Sequence, residues 1–251
     1  MSSIYRRYAE AYVKSGHGRW SLQLLPWVAG VLDRYGIVPG SLVDVACGPG
    51  EFACAMAKRG YAVTGVDQSP EMLALARTTA ERLGVAVTFL EQDMRELSLT
   101  GTVDMVTCLF DSLNYLVDEQ DLPATLDGFA RCLTPRGLLL FDMNTLRGMA
   151  GRWSNRTWLV QDVEEEFEVH QTEFDYDSGV ATIRINAFLQ RDGRLYERVQ
   201  EVHRERGYPM HVIDRTLEGA GFELLGRWST PEFGEITPDT GRVFYAARRT
   251  G

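Results

Sequence analysis

From residue 41 to residue 144, short apolar runs alternate with longer stretches whose apolar positions recur every three to four residues. SLVDVA (41–46), YAVTGVD (61–67), VAVTFLEQD (85–93), VDMVTCLF (103–110) and GLLLFDMN (137–144) have the length and β-branched content of strands. Residues 50–59, 70–83 and 118–132 read as helices, the second with Ser69 as N-cap. Strands alternating with helices predict an α/β fold, a doubly wound, Rossmann-like parallel sheet covered on both faces. Ahead of it, 4–14 and 20–35 read as helices, with Pro26 breaking or resetting the second.

The rhythm then changes. From about 155 to 205 there is no helix signal, and EEFEVHQTEF, VATIRINAFL and RLYERVQEVH alternate apolar and polar side chains. Gly-bearing turns at 175–179 and 190–194 join them into an antiparallel β meander inserted in the α/β chain. Its polar positions include His170, Arg184, Asn186, Arg198 and His203, a set suited to a small polar metabolite and without a continuous basic track. A helix (210–221) and two strands (222–229, 242–248) return the chain to the core.

The composition, 45% hydrophobic and 24% charged over 251 residues, supports a sizeable soluble core. A net charge of −9 argues against nucleic acid as a partner, because backbone binding rests on Lys and Arg. Cys47, Cys54, Cys108 and Cys132 sit in apolar surroundings and form no C-x-x-C pair, which reads as reduced buried thiols. The first ten residues have no signal-type apolar core, and no stretch approaches the ~20 apolar residues of a membrane helix. A cytoplasmic protein with no membrane partner is expected. No His, Cys and acidic set has metal-ligand spacing, so no metal is expected.

The bend after the first strand, VDVACGPG, carries the first chemical signal. Gly48 and Gly50 allow a tight turn and close approach of a ligand. Gly48-x-Gly50-x-x-Ala53 also matches a dinucleotide fingerprint loosely. A pyrophosphate wants backbone donors, and Pro49 removes one while Asp44 and Glu51 add negative charge. A ligand carrying positive charge suits the bend better. Asp67 ends the second strand, where a carboxylate accepts from ribose hydroxyls. Asp93 ends the third.

VDVACGPG, GVDQSPEML, EQDMREL and VTCLFDSLNYL, in this order and spacing, resemble the class I S-adenosylmethionine-dependent methyltransferases. The resemblance is carried by 41–144 and implies a seven-stranded sheet with the last strand antiparallel, and S-adenosylmethionine as cofactor. It implies that Asp44, Ala46, Gly48 and Gly50 surround the methionine part, with Leu109 nearby. Asp67 then takes the ribose, Gln68 flanks the adenine, and Asp93 and Met94 take the adenine edge. Among these enzymes the chain looks similar to amino-sugar N-methyltransferases, which implies an N-terminal lid (1–40) with Tyr12 and Trp20 as cofactor contacts. The core is expected at 41–150 and 207–251, with 151–206 covering the acceptor site. The meander is the alternative candidate for a homodimer surface.

Methyl transfer from a sulfonium needs mainly alignment, which can contribute up to ~7–11 kcal/mol. A general base adds ~10²–10⁴-fold when the acceptor must lose a proton. The exit of the fourth strand, FDSLNYL, should face a small-molecule acceptor at N or O. It lacks the Asp/Asn-Pro-Pro-Tyr pattern of nucleic-acid amino methylation. Tyr115 and Asp111 are candidate catalytic groups there, and His203 is the histidine to test first. Three rivals stay open: a nicotinamide-dependent oxidoreductase, aminopropyl transfer on the same fold, and a non-catalytic cofactor-binding scaffold.

Overall fold

The computed structural model describes residues 4–251. Its helices are α1 (Ala9–Lys14), α2 (Leu25–Tyr35), α3 (Glu51–Lys58), α4 (Pro70–Leu83), α5 (Asp121–Cys132), α6 (Leu146–Arg152) and α7 (Met210–Gly219). A first sheet contains β1 (Ser41–Val45), β2 (Ala62–Asp67), β3 (Thr88–Glu91), β4 (Val103–Cys108) and β5 (Leu133–Asn144). Four consecutive strands, β6 (Arg156–Val163), β7 (Glu166–Asp175), β8 (Val180–Gln190) and β9 (Tyr196–Arg206), form a second sheet. The chain ends with β10 (Phe222–Trp228) and β11 (Arg242–Arg249), which return to the first.

The seven-stranded sheet has the order β10-β11-β5-β4-β1-β2-β3. Only β11 runs against its neighbours, β5 and β10. Alternation along β5 explains the double layer. Leu138 and Leu140 face α2 and α3, packing with Trp27 and Phe52. Leu139, Phe141 and Met143 face the opposite side with Phe129 of α5 and Leu217 of α7. Burial of such side chains drives the assembly at about 25 cal/mol per Å². Phe141 and Tyr245 also stack with ring centroids 4.7 Å apart, tying β5 to β11.

Some boundaries differ from the hydrophobic pattern, for physical reasons. Leu133 pairs with Val103, and the ladder then resumes at Met105 and Leu138, so residues 134–137 bulge and Arg136 takes a φ of 64°. The expected start at 137 is where regular pairing resumes. Residues 17–24 form a 3₁₀ turn, and Pro26 stands in the first turn of α2, starting that helix rather than breaking it.

Helix α6 escapes the pattern because two of its seven residues are glycine. Thr145 caps it by accepting from the Gly148 amide at 2.9 Å. A Cβ on Gly148 would lie 1.9 Å from the Gly241 carbonyl oxygen, so this contact requires glycine. The meander also has a fourth strand, β6, which opens the sheet on β7.

The second sheet splits the polar set expected of one face. Glu166, Glu168, His170, Glu201, His203 and Glu205 lie on its inner side, which covers the N-terminal segment. Arg184, Asn186 and Arg198 lie on the outer side, where Arg198 donates to Asn186 at 2.8 Å. No helix among the described residues is long and apolar enough to cross a membrane.

Candidate active site

A cavity of about 320 Å³ opens beyond the carboxyl ends of β1, β2 and β4. Strand β1 delivers Asp44, which is 3% exposed and accepts from the Thr107 hydroxyl at 2.7 Å. Burial pushes its carboxyl up to about 7, against the hydrogen bond from Thr107 and with the help of Asp67. Ala46, next along, has a φ of 56°, a conformation that costs a side-chain-bearing residue energy. Strain of this kind recurs at the β4 exit, where Phe110 and Asp111 have φ of 61° and 51°.

Asp67 holds the bend together. One oxygen accepts the Gly48 amide and the other the Ser69 amide, each at 2.9 Å. Burial nevertheless raises its carboxyl above the ordinary range, the amides opposing. Gly50 donates to the Cys47 carbonyl at 3.0 Å. The Gly48 and Gly50 amides are therefore engaged within the bend. Gly50 faces α4, and a Cβ there would approach Ala76 Cβ at 2.9 Å, so its role is close packing rather than lining.

At the other end of the cavity, Arg95 engages both oxygens of Asp93, at 2.9 and 2.5 Å. This contact holds the Asp93 carboxyl below its usual value. Gln68, Met94 and Leu109 line the cavity.

The β4 exit is organised by a buried ion cluster. Asp142 accepts the amides of Phe110 at 2.7 Å and Asp111 at 3.0 Å, which fixes their left-handed turn. Arg242 donates to Asp142 at 2.6 Å and to Asp111 at 3.2 Å. Burial raises Asp111 although Arg242 opposes it. The turn presents Tyr115 to the cavity, while Asp111 stays behind the wall.

Tyr115 Oη lies 2.9 Å from Nδ1 of His203 and 2.8 Å from the Tyr5 hydroxyl. His203 Nε2 lies 3.0 Å from Glu201 Oε2. A carboxylate only accepts, so in the neutral imidazole Nε2 carries the hydrogen and Nδ1 accepts from Tyr115. Tyr5 then donates to Tyr115. Glu205, 4% exposed, completes the surroundings, and one of its oxygens has no hydrogen-bond partner among the described residues. Burial, with Asp111 adding to it, pushes the Glu205 carboxyl well above the usual range.

The structure thus gathers Tyr12, Asp44, Ala46, Gly48, Asp67, Gln68, Asp93, Met94, Leu109 and Tyr115 on one cavity. Trp20 does not line it and is 54% exposed, because the 3₁₀ turn aims it outward. His203 stands behind Tyr115. Sequence reading missed Tyr5, Phe110, Glu201 and Glu205. Only Tyr5 had a signal, its helical spacing from Tyr8 and Tyr12. Glu201 and Glu205 are ordinary acids in an alternating strand until the fold buries them.

An open-ended α/β sheet with strand-end carboxylates and a strained first bend suits a nucleoside that carries positive charge. Asp67 and Asp44 fit the ribose and the cationic methionine part of S-adenosylmethionine. A methyltransferase domain model matches residues 42–137. YqeM of Bacillus subtilis (strain 168), which bears a provisional methyltransferase name, is 31% identical over 251 residues, covering 98% of each chain. The Streptomyces fradiae dTDP-3-amino-3,6-dideoxy-alpha-D-glucopyranose N,N-dimethyltransferase is 32% identical over 136 residues, 53% of this chain and 52% of that enzyme. The crystal structure of a methyltransferase from Clostridium acetobutylicum ATCC 824 shares the fold with a TM-score of 0.85, at 24% identity over 99% of this chain and 100% of that one. The chain belongs to the S-adenosylmethionine-dependent methyltransferases, and S-adenosylmethionine is its cofactor.

Proposed function

We propose that the chain methylates a nitrogen or oxygen of a small polar molecule, an amine being favoured. The observation that carries this reading is the Tyr115 hydroxyl on the cavity wall, backed by His203 at 2.9 Å. Bound S-adenosylmethionine supplies the methyl group on a sulfonium, already activated. Asp44, Ala46, Gly48 and Leu109 hold its methionine part, Asp67 its ribose, and Gln68, Asp93 and Met94 its adenine. What the chain adds is alignment, exclusion of water and a place for the acceptor's proton. Tyr115 passes that proton toward His203.

The amine preference rests on charge. Asp44, Asp67, Asp93 and Asp121 line the cavity against Arg95 and Arg204, and this acidic lining favours an acceptor with an ammonium group over an anionic one. The Streptomyces fradiae relative is named for methylation of an amino sugar. Residues 1–40 act as a lid, 41–150 and 207–251 hold the cofactor, and 151–206 cover the acceptor.

The test is a panel of amines, hydroxylated metabolites, carboxylates and oligonucleotides, read by S-adenosylhomocysteine release. Turnover of amines with carboxylates silent is expected. Turnover of oligonucleotides, or of carboxylates alone, overturns the reading.

A further inference from the structure

Glu201 belongs to two networks at once. Its side chain, on the inner face of β9, is 10% exposed. Oε1 accepts the backbone amides of Arg7 at 2.8 Å and Tyr8 at 3.0 Å. Oε2 accepts the Tyr5 amide at 2.7 Å and faces His203 Nε2 at 3.0 Å. Burial opposes the charge on this carboxyl. The hydrogen bonds from His203 and from the amides of Tyr8 and Tyr5 outweigh burial and keep it below the ordinary range, hence ionised. The same segment brings Tyr5 and Tyr12 to the cavity wall, and its Tyr5 carbonyl accepts from the Ser69 hydroxyl at 2.9 Å, two residues past Asp67.

We propose that Glu201 is a positioning residue that completes the Tyr115–His203 pair only while the N-terminal segment lies over the cavity. The segment supplies three of the four hydrogen-bond donors seen on the carboxylate. With the segment withdrawn, the buried charge loses them and turns toward water, because an ionised group without partners is costly to keep buried. His203 then loses the contact that fixes its tautomer and ring orientation. With the segment in place, the acceptor's lone pair forms the new bond as the S–CH₃ electron pair returns to sulfur. The acceptor's proton passes to Tyr115 Oη, and the Tyr115 proton passes to His203 Nδ1. The resulting imidazolium faces the Glu201 carboxylate, as in a triad whose acid orients the base and balances its charge. Covering the cofactor and readying the base thus become one event.

This inference rests on the methyl-transfer reading above, but two of its measurements need no acceptor. The variants are E201Q, H203Q and the double variant. E201Q is expected to lower kcat at saturating cofactor by about tenfold or more. It should also weaken S-adenosylmethionine binding and speed hydrogen exchange at the amides of Tyr5, Arg7 and Tyr8. H203Q should lower kcat alone, and the double variant should lose no further kcat than H203Q. Weakened binding and faster exchange with kcat unchanged would make Glu201 an anchor only. Losses in kcat that multiply in the double variant would show two independent groups. Either result overturns the proposal. If E201Q does not fold, E201D, which keeps the charge but shortens the reach, carries the same comparison. A wild type that turns over no acceptor refutes the functional reading, and the exchange and affinity measurements still decide the anchoring.

Discussion

Tyr115 and His203 are 88 residues apart in sequence, and their Oη and Nδ1 atoms meet at 2.9 Å. The first comes from the exit of the fourth strand of the cofactor-binding sheet, the second from the last strand of the inserted sheet. The contact joins the two sheets at the place proposed for the acceptor. Replacing Tyr115 by Phe removes the hydroxyl and leaves the ring. Steady-state kinetics should show kcat lowered by about 10²-fold with the affinity for S-adenosylmethionine unchanged. An equal loss in both would make Tyr115 a cofactor contact.

Asp67→Ala should weaken cofactor binding by about tenfold or more, equivalent to ~1.4 kcal/mol, by isothermal titration. The carboxylate both faces the cavity and holds the Gly48 amide at 2.9 Å, so its loss also loosens the bend. Wild-type affinity in the variant would place the ribose elsewhere.

The buried Asp44 makes stability and binding respond to pH in opposite directions. Its carboxyl is pushed up to about 7 in the folded chain. A raised folded value means that its contribution is present at low pH and lost as pH rises through that value. The melting temperature of the free protein should fall from about pH 5 to about pH 8, and Asp44→Asn should flatten that slope. A cationic ligand favours the ionised acid, so cofactor binding below about pH 7 should release a proton. Titration calorimetry in buffers of different ionisation heat reads that release, and D44N should diminish it.

Gly148→Ala tests the packing of α6. The new Cβ would meet the Gly241 carbonyl oxygen at 1.9 Å, and backbone must move. A destabilisation of about 1–3 kcal/mol is expected by denaturant unfolding. Catalysis need not change if α6 only closes the junction between the sheets.

The cofactor half of this architecture is legible in the sequence because it is local. Asp44, Gly48 and Asp67 follow directly from a strand end, a turn that needs glycine and the next strand end. Each signal lies within a few residues of the element that positions it. The acceptor half depends on which face of a strand points inward. A strand with polar residues on both faces does not announce that choice, so His203 and Arg198 looked alike, although one is buried and the other exposed. Trp20 illustrates the same limit from the other side, since the resemblance that made it a cofactor contact does not reveal the 3₁₀ turn that leaves it exposed.

The clasp at Glu201 also bears on how the chain is made. Its bond to the Tyr5 amide spans 196 positions, most of the chain. Synthesis runs from the first residue onward, so the tyrosines of the leading segment emerge long before the strand that receives them. The Rossmann-like strands β1 to β5 can pair meanwhile, because their partners are near in sequence. Contacts of such long separation are slow to form. The newborn protein therefore passes through an interval in which β1 to β4 already frame the cofactor crevice, and its cover can close only after β9 has emerged.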